Sequence, residues 1–327
     1  MEVYPSYLAL YTSGELKKRV KEFKKRLICC DLCPRNCQVN RNETSDGYCQ
    51  SGRRAYLCSF CDHHGEEPPL SGSNGSGTIF LGKCNLRCVF CQNADISQHL
   101  KNPESYTSSP QEMARIMIYL QNELNCHNIN FVSPSHFVAQ IVEAVYFAIP
   151  LGLRIPLVYN SNGYDSLYTL HQLDGIFDIY LPDLKYADDA MARKYSTATH
   201  YTVTARRAIK EMFRQVGLLN VDKRGIARRG LIIRHLVLPN NISGSISSLH
   251  WIAKEISSQV TLSLMAQYYP ANFADKIPAL ARPLSYDEYA QVLNTLEQLG
   301  FDNALYQQLN AAEYYRPHFW QGGHPFE

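Results

Sequence analysis

A chain of 327 residues, 45% of them hydrophobic, can bury a large core as one domain or as one domain with an appendage, which excludes a disordered polypeptide. Its 32 Lys and Arg nearly cancel 30 Asp and Glu, so a net charge of +2 gives no broad field for nucleic acid or an anionic membrane. No apolar run approaches a membrane span, and the opening MEVYPSYLALYTSGELKKRV lacks the basic, apolar, small-residue order of a signal peptide; a cytoplasmic protein with no membrane or nucleic-acid partner is expected.

In chain order, residues 14–28 come first: GELKKRVKEFKKRLI places Leu16, Val20, Phe23 and Leu27 at helical spacing, an amphipathic helix with a narrow apolar stripe docked on the body. From Cys29 to about Gly77 the chain is rich in turns and cysteine. Ten of the eleven cysteines fall between Cys29 and Cys91. Thiols in the cytoplasm stay reduced, so tight clustering points to metal rather than to disulfides. Cys30, Cys33, Cys37 and Cys49 have the spacing of a four-thiolate centre, either zinc or a second iron–sulfur cluster, and spacing does not choose between them. Cys58, Cys61, His63 and His64 follow, with the two histidines adjacent rather than at zinc-finger separation. Glu66 and Glu67 read as turn or pocket residues rather than as an acid/base pair, because adjacent side chains diverge. SGSNGSG closes the segment as a loop, without the GxxxxGK[ST] order of a phosphate-binding loop.

Beyond Gly77, short β-rich runs alternate with helical patterns. Strands are expected at 78–82, 129–133, 155–159, 177–181, 231–238 and 260–265, with a weaker one near Ala304 to Gln307. Met113, Ile116, Met117, Leu120 and Leu124 form one helical face, and Val138, Ile141, Val142 and Val145 another. Ser109–Pro110 is a natural helix start, and Pro134 opens the next helix. Some six βα repeats imply a parallel sheet covered by helices, with the functional residues in the loops at the carboxyl ends of the strands.

The first of those loops is CNLRCVFCQN. Cys84, Cys88 and Cys91, spaced CxxxCxxC, can bind three corners of a [4Fe–4S] cluster and leave one iron open to a non-protein ligand. Structural zinc normally takes four protein ligands, and the next cysteine, Cys126, lies beyond a predicted helix. EEPPLSGSNGSGTIF before the triad, CNLRCVFCQN itself, and then NINFVSPSH, VYNSNGYDS, DIYLPDLKY, RHLVLPN and MAQYYP at successive strand ends together resemble the radical S-adenosylmethionine superfamily. Within it they resemble the branch related to pyruvate formate-lyase activating enzymes, often labelled PflX, over nearly the whole chain.

The resemblance implies a partial (β/α)6 TIM-like barrel over residues 77–327 behind an N-terminal helix and cysteine-rich extension, 1–76. It also implies S-adenosylmethionine chelated at the open iron, cleavage to a 5′-deoxyadenosyl radical, and hydrogen abstraction from a substrate. Carried over residue by residue, it puts the cofactor at strand ends. SPSH stands where activating enzymes usually have a GGE-like segment, a departure that leaves Ser133 and His136 as polar substitutes. NSNG stands for their DTNG, giving Asn160 and Ser161, and PDLK for their LDLK, giving Asp183 and Lys185. A lysine there can pair with a carboxylate, and Asp183 with Asn160 can hold a cation or fix the pocket. Arg234 interrupts an apolar strand beside His235, so at least one of the two faces a polar interior. Gln267 follows the sixth strand, where the resemblance puts adenine or substrate contacts.

A one-electron donor such as flavodoxin or ferredoxin is the implied partner. The implied substrate is a glycyl-radical enzyme or another polypeptide, with a small molecule, peptide or RNA as the alternative. The competing class is a non-enzymatic metal-stabilised binding module.

Overall fold

The computed structural model describes residues 3–313, 316–319 and 324–326. Its ten described strands form one open sheet: β1 (Ala55–His63), β2 (Ser76–Leu81), β3 (Thr107–Ser108), β4 (Ile129–Val132), β5 (Leu157–Asn160), β6 (Ile179–Tyr180), β7 (Asn220–Val221), β8 (Ala227–Leu236), β9 (Thr261–Met265) and β10 (Ala304–Tyr306). The spatial order is β3-β1-β2-β4-β5-β6-β8-β9-β10, with β7 paired to β8 as a hairpin. Every pair from β2 to β10 is parallel, so six expected strands and the weaker seventh follow one another in sheet order as a partial barrel. The strand bounds shift by a few residues from expectation, and at β5 the cause is plain. Pro156 has no N–H to donate, so the β5 ladder begins at Leu157, although the Pro156 carbonyl still accepts from Ile129.

The sheet extends on its other side through β1, which runs antiparallel to β2 from inside the cysteine-rich segment. AYLCSFCDH mixes cysteine and polar residues and carries no strand pattern that stands out from its turn-rich surroundings. Because β1 runs against β2, the loop that follows it enters at the opposite end of the barrel from the cysteine triad. There α3 (Pro68–Ser71) inserts Leu70 among Val158, Ile179, Leu181 and Ile232, an apolar plug at the amino ends of the strands.

The helices form by ordinary local rules. Two precede the sheet, α1 (Tyr7–Thr12) and α2 (Glu15–Arg26), and the apolar stripe Leu16, Val20, Phe23 and Leu27 is buried where α2 lies against α6 (Val138–Ala148). After the short α4 (Ala94–Ser97), α5 (Pro110–Asn122) opens on a capping box: Ser109 Oγ accepts from the Glu112 N–H, and the Glu112 carboxylate accepts from the Ser109 N–H. The outer layer continues through α7 (Leu167–Leu173), α8 (Asp189–Ser196), α9 (Tyr201–Val216), α10 (Ser245–Glu255) and α11 (Tyr286–Gln298). The main apolar core runs from the N-terminal helices through the interface between sheet and helices. No helix among the described residues is long and apolar enough to cross a membrane.

Candidate active site

The carboxyl ends of the parallel strands and the barrel interior enclose a cavity of about 570 Å³. Cys84, Cys88, Cys91, Ser133, Asn160, Ser161, Asp183, Lys185, Arg234 and Gln267 all line it, so the structure brings together every predicted cofactor residue except one.

The cysteine loop is rigidly placed. Its Arg87 and Val89 amides donate to the Ser196 and Tyr195 carbonyls at the end of α8, and the Cys88 carbonyl accepts from Gln98 and Asn272 side chains. Each thiol has a polar neighbour of its own. Cys84 Sγ accepts from Asn162 Nδ2 at 3.4 Å, Ser196 Oγ donates to Cys88 Sγ at 3.0 Å, and Cys91 Sγ lies 3.2 Å from Ser97 Oγ. Burial raises the pKa of all three thiols, Cys88 to about 11, while the Lys185 ammonium pulls each the other way. Among the described residues no three His, Cys, Asp or Glu side chains stand in ready-made metal-binding geometry. Metal loading would exchange the protons and hydrogen bonds of these cavity-lining thiols for ligation. Three mutually adjacent thiols on one loop, with a cation beside them and a cavity at their feet, suit a cluster that leaves one iron open.

From the triad a ladder of alternating charge descends into the barrel. Lys185 Nζ donates to Asp183 Oδ2 at 2.6 Å, and Arg234 Nε to Asp183 Oδ1 at 3.0 Å. Arg234 Nη2 donates to Asn160 Oδ1 at 2.7 Å, and its Nη1 lies 3.7 Å from Glu66 Oε2. Strand register puts Arg234 there: it bridges Asp183 on one side and pairs with Ser263 on the other. His235, one residue on, faces outward and is held between the Leu184 carbonyl and Ser245 Oγ. Burial alone would raise the Asp183 pKa, but Arg234 and then Lys185 outweigh it and hold the carboxylate below its ordinary value. Burial likewise opposes the Lys185 charge, which Asp183 more than restores.

Ser161 and the SPS segment have a different task. Asp165 is buried, and its carboxylate accepts from Ser161 Oγ, Ser135 Oγ and Tyr159 OH at 2.6, 2.6 and 2.9 Å, stapling the loops after β4 and β5 to each other. His136 is the exception among the predicted residues. Ser133 adopts a left-handed backbone, φ 56°, and turns the chain away from the cavity. His136 Nε2–H then donates to the Gly82 carbonyl, and the ring borders the small space among Cys30, Cys33, Cys37 and Cys49 instead.

Those four cysteines are neighbours, and their loop is docked onto the triad. Arg35 Nε donates to the Asn85 carbonyl and its Nη1 to the Thr197 carbonyl, with the guanidinium 3.6 Å over the Tyr48 ring. The fully buried Arg41 ties the same segment to the β4–α6 loop through the Ser51, Gly52 and His136 carbonyls. Cys58 and Cys61 lie on β1 and do not line the cavity.

Several cavity residues carried too little signal in the sequence. Asn162 follows Ser161 in NSNG, and Ser263 lies inside an apolar strand; Gln307 donates through Nε2 to Gln267 Oε1 at 2.7 Å. Period-2 alternation in VTLSLM could have found Ser263. Gly163, at the end of NSNG, has φ +76°, and an added Cβ would lie 2.3 Å from the Asp183 carbonyl oxygen. Gly163→Ala is expected to destabilise the chain by about 2 kcal/mol or more, read by urea unfolding; an unchanged midpoint would refute this close approach.

No protein-family model matches the chain. The uncharacterized protein MJ0674 of Methanocaldococcus jannaschii is 32% identical over 280 residues, which are 84% of this chain and 75% of that protein. The uncharacterized protein MJ0808 of the same organism is 22% identical over 285 residues, 79% of this chain and 78% of its own. Two solved structures show loose likeness at 14% identity. TYW1 with a lysine–pyruvate adduct bound matches with TM-score 0.39 over 68% of this chain and 73% of its own. Methylornithine synthase (PylB) matches with TM-score 0.44 over 90% and 74%.

Proposed function

The chain belongs to the family of MJ0674, and we propose that it is a radical S-adenosylmethionine enzyme whose [4Fe–4S] cluster is held by Cys84, Cys88 and Cys91. The single observation that carries this reading is the convergence of the CxxxCxxC thiols and the strand-end polar residues on one cavity. When bound, the cluster and cofactor supply an electron and a 5′-deoxyadenosyl radical for hydrogen abstraction.

The chain's own residues hold, orient and shield. The three thiolates ligate and leave one position free of protein. Lys185, with donors left after its bond to Asp183, presents a cation to a carboxylate next to the triad. Asn160 and Asp183 fix the Arg234 guanidinium, so the polar wall is organised before any ligand arrives. Phe90, Leu86 and Met265 belong to the apolar lining that keeps water from a reactive centre.

Cys30, Cys33, Cys37 and Cys49 are assigned to a separate centre of zinc or iron–sulfur type. Cys33→Ala is expected to remove that metal and leave the triad's iron in place, as read by elemental analysis and sulfide content. Loss of all iron together would refute two independent centres.

The cavity's reach into the barrel favours a substrate that penetrates it, a small molecule or a side chain. Activation of a glycyl-radical polypeptide, with flavodoxin or ferredoxin as electron donor, is the reading the sequence resemblance implies. A glycyl-radical signal appearing on a candidate partner only with active enzyme would support activation, and its absence would remove that substrate.

A further inference from the structure

The charge ladder balances without Glu67. Lys185 and Arg234 are matched by Asp183 and Glu66, and Glu66 also accepts from Asn130 Nδ2 at 3.1 Å. Glu67 is a further carboxyl on the same cavity, 8% exposed, at the floor where the chain enters above the Leu70 plug. Its contacts are with Ser263 and its own backbone, and its Oε2 has no hydrogen-bond partner. An isolated acceptor buried in this way is costly unless a donor meets it.

We propose that Glu67 binds a cationic nitrogen of the substrate, an alkylammonium or guanidinium group, and thereby sets which molecules enter the barrel. The inference deepens the radical reading, since it takes the space between the thiols and this floor as the substrate's. A cation suits the site better than a hydroxyl because ionised Glu67 is a third carboxylate beside two cations. A neutral donor would satisfy Oε2 but do nothing for the charge that burial and Glu66 disfavour. The position suits selection. A group anchored at the floor presents the rest of its molecule toward the triad.

The neighbours of Glu67 fix the sign of its proton linkage. Glu66 lies beside it on the loop, His63 faces it from β1, Arg234 from β8 and Ser263 from β9. Burial, and then the Glu66 charge, raise the Glu67 pKa to about 7 against the pull of Arg234, while burial holds His63 neutral with a pKa of about 4. Near neutral pH the Glu67 carboxyl therefore keeps its proton in part of the molecules, and a bound cation displaces it.

The test is calorimetry on the full chain with cluster and S-adenosylmethionine present, in two buffers of different ionisation heat. The probes are n-butylammonium, agmatine and an acetylated, amidated Gly-Gly-Lys-Gly-Gly peptide, with 1-butanol as the neutral control. At least one cationic probe should bind and 1-butanol should not. Binding near neutral pH should release protons, and fewer as the pH rises above the Glu67 pKa. Glu67→Gln should weaken it by about tenfold or more. The two free amines against the peptide distinguish a small molecule from a lysine side chain. Glu67→Gln should fold and, above pH 7, unfold no more easily than the native chain, because it removes a charge that burial disfavours.

Equal binding of butanol and butylammonium, no binding by any cationic probe, no proton release, or a Glu67→Gln effect on S-adenosylmethionine alone would overturn the proposal. Failure of the radical reading is separable. Amine binding that depends on Glu67 in a chain that forms no 5′-deoxyadenosine would leave this site standing and remove that chemistry.

Discussion

Alanine at Cys84, Cys88 or Cys91 is expected to lower reductive cleavage of S-adenosylmethionine by on the order of a thousandfold or more, a loss of about 4 kcal/mol in transition-state stabilisation. The expectation follows from the small number of thiols that reach the cavity. Cys58 and Cys61 lie on β1 and Cys126 is buried in the core, so none can take over a vacated corner without moving its strand or loop. The fold should survive. All three thiols lie in a loop after β2, held mainly by backbone bonds to α8 and by the Gln98 and Asn272 amides. The result is read as 5′-deoxyadenosine formed per chain, together with a thermal unfolding curve. Retained turnover in any single variant would show that the cluster is held elsewhere.

Asp183→Asn is expected to cost about 3–5 kcal/mol of folding stability at neutral pH. Asp183 is buried between two half-buried cations, 2.6 Å from Lys185 and 3.0 Å from Arg234, and removing its charge takes the partner from Lys185 and leaves Arg234 facing Glu66 at 3.7 Å. The pH dependence has a definite sign. The folded carboxylate has a pKa below the ordinary aspartate value, so its stabilisation is present above that ordinary value and is lost as pH falls through the lower folded pKa. Native chain and variant should therefore converge in strong acid. The double variant Asp183→Asn, Lys185→Met should recover part of the loss, because it removes an unpaired charge along with its partner. A deficit under about 1 kcal/mol would mean that water reaches these groups and that the ladder contributes as surface pairs do.

Much of this site was legible in the sequence because parallel strands declare themselves. Buried on both faces, they read as short apolar runs, and the polar residues directly after them fall on one rim. Asn160, Asp183 and Lys185, which the family resemblance put at such strand ends, line the cavity, as does Arg234, picked for interrupting an apolar run. The same rule misplaced His136, because it assumes that the chain continues along the rim after the strand. The left-handed turn at Ser133 sends it beneath the rim instead, toward Gly82 and Arg41.

The floor was harder to read. Glu66 and Glu67 follow β1, a strand hidden among cysteines and running against its neighbour, so nothing local says that they enter the barrel. Adjacent side chains diverge along a strand, but a loop crossing a barrel end can turn both inward. The sequence left them as turn or pocket residues and they line the cavity, but their partners Arg234 and Ser263 are distant in sequence and depend on sheet register. Ser161 shows the converse. It lines the cavity as expected, yet its hydroxyl is bonded to Asp165 and fixes the loop.

The most direct measurement is the formation of 5′-deoxyadenosine by the anaerobically reconstituted, chemically reduced chain given S-adenosylmethionine, beside its iron and sulfide content. A radical enzyme built on Cys84, Cys88 and Cys91 forms 5′-deoxyadenosine and methionine, and replacing all three cysteines removes both the product and about four irons per chain. No product from the iron-loaded chain, with iron unchanged in the triple variant, would contradict it.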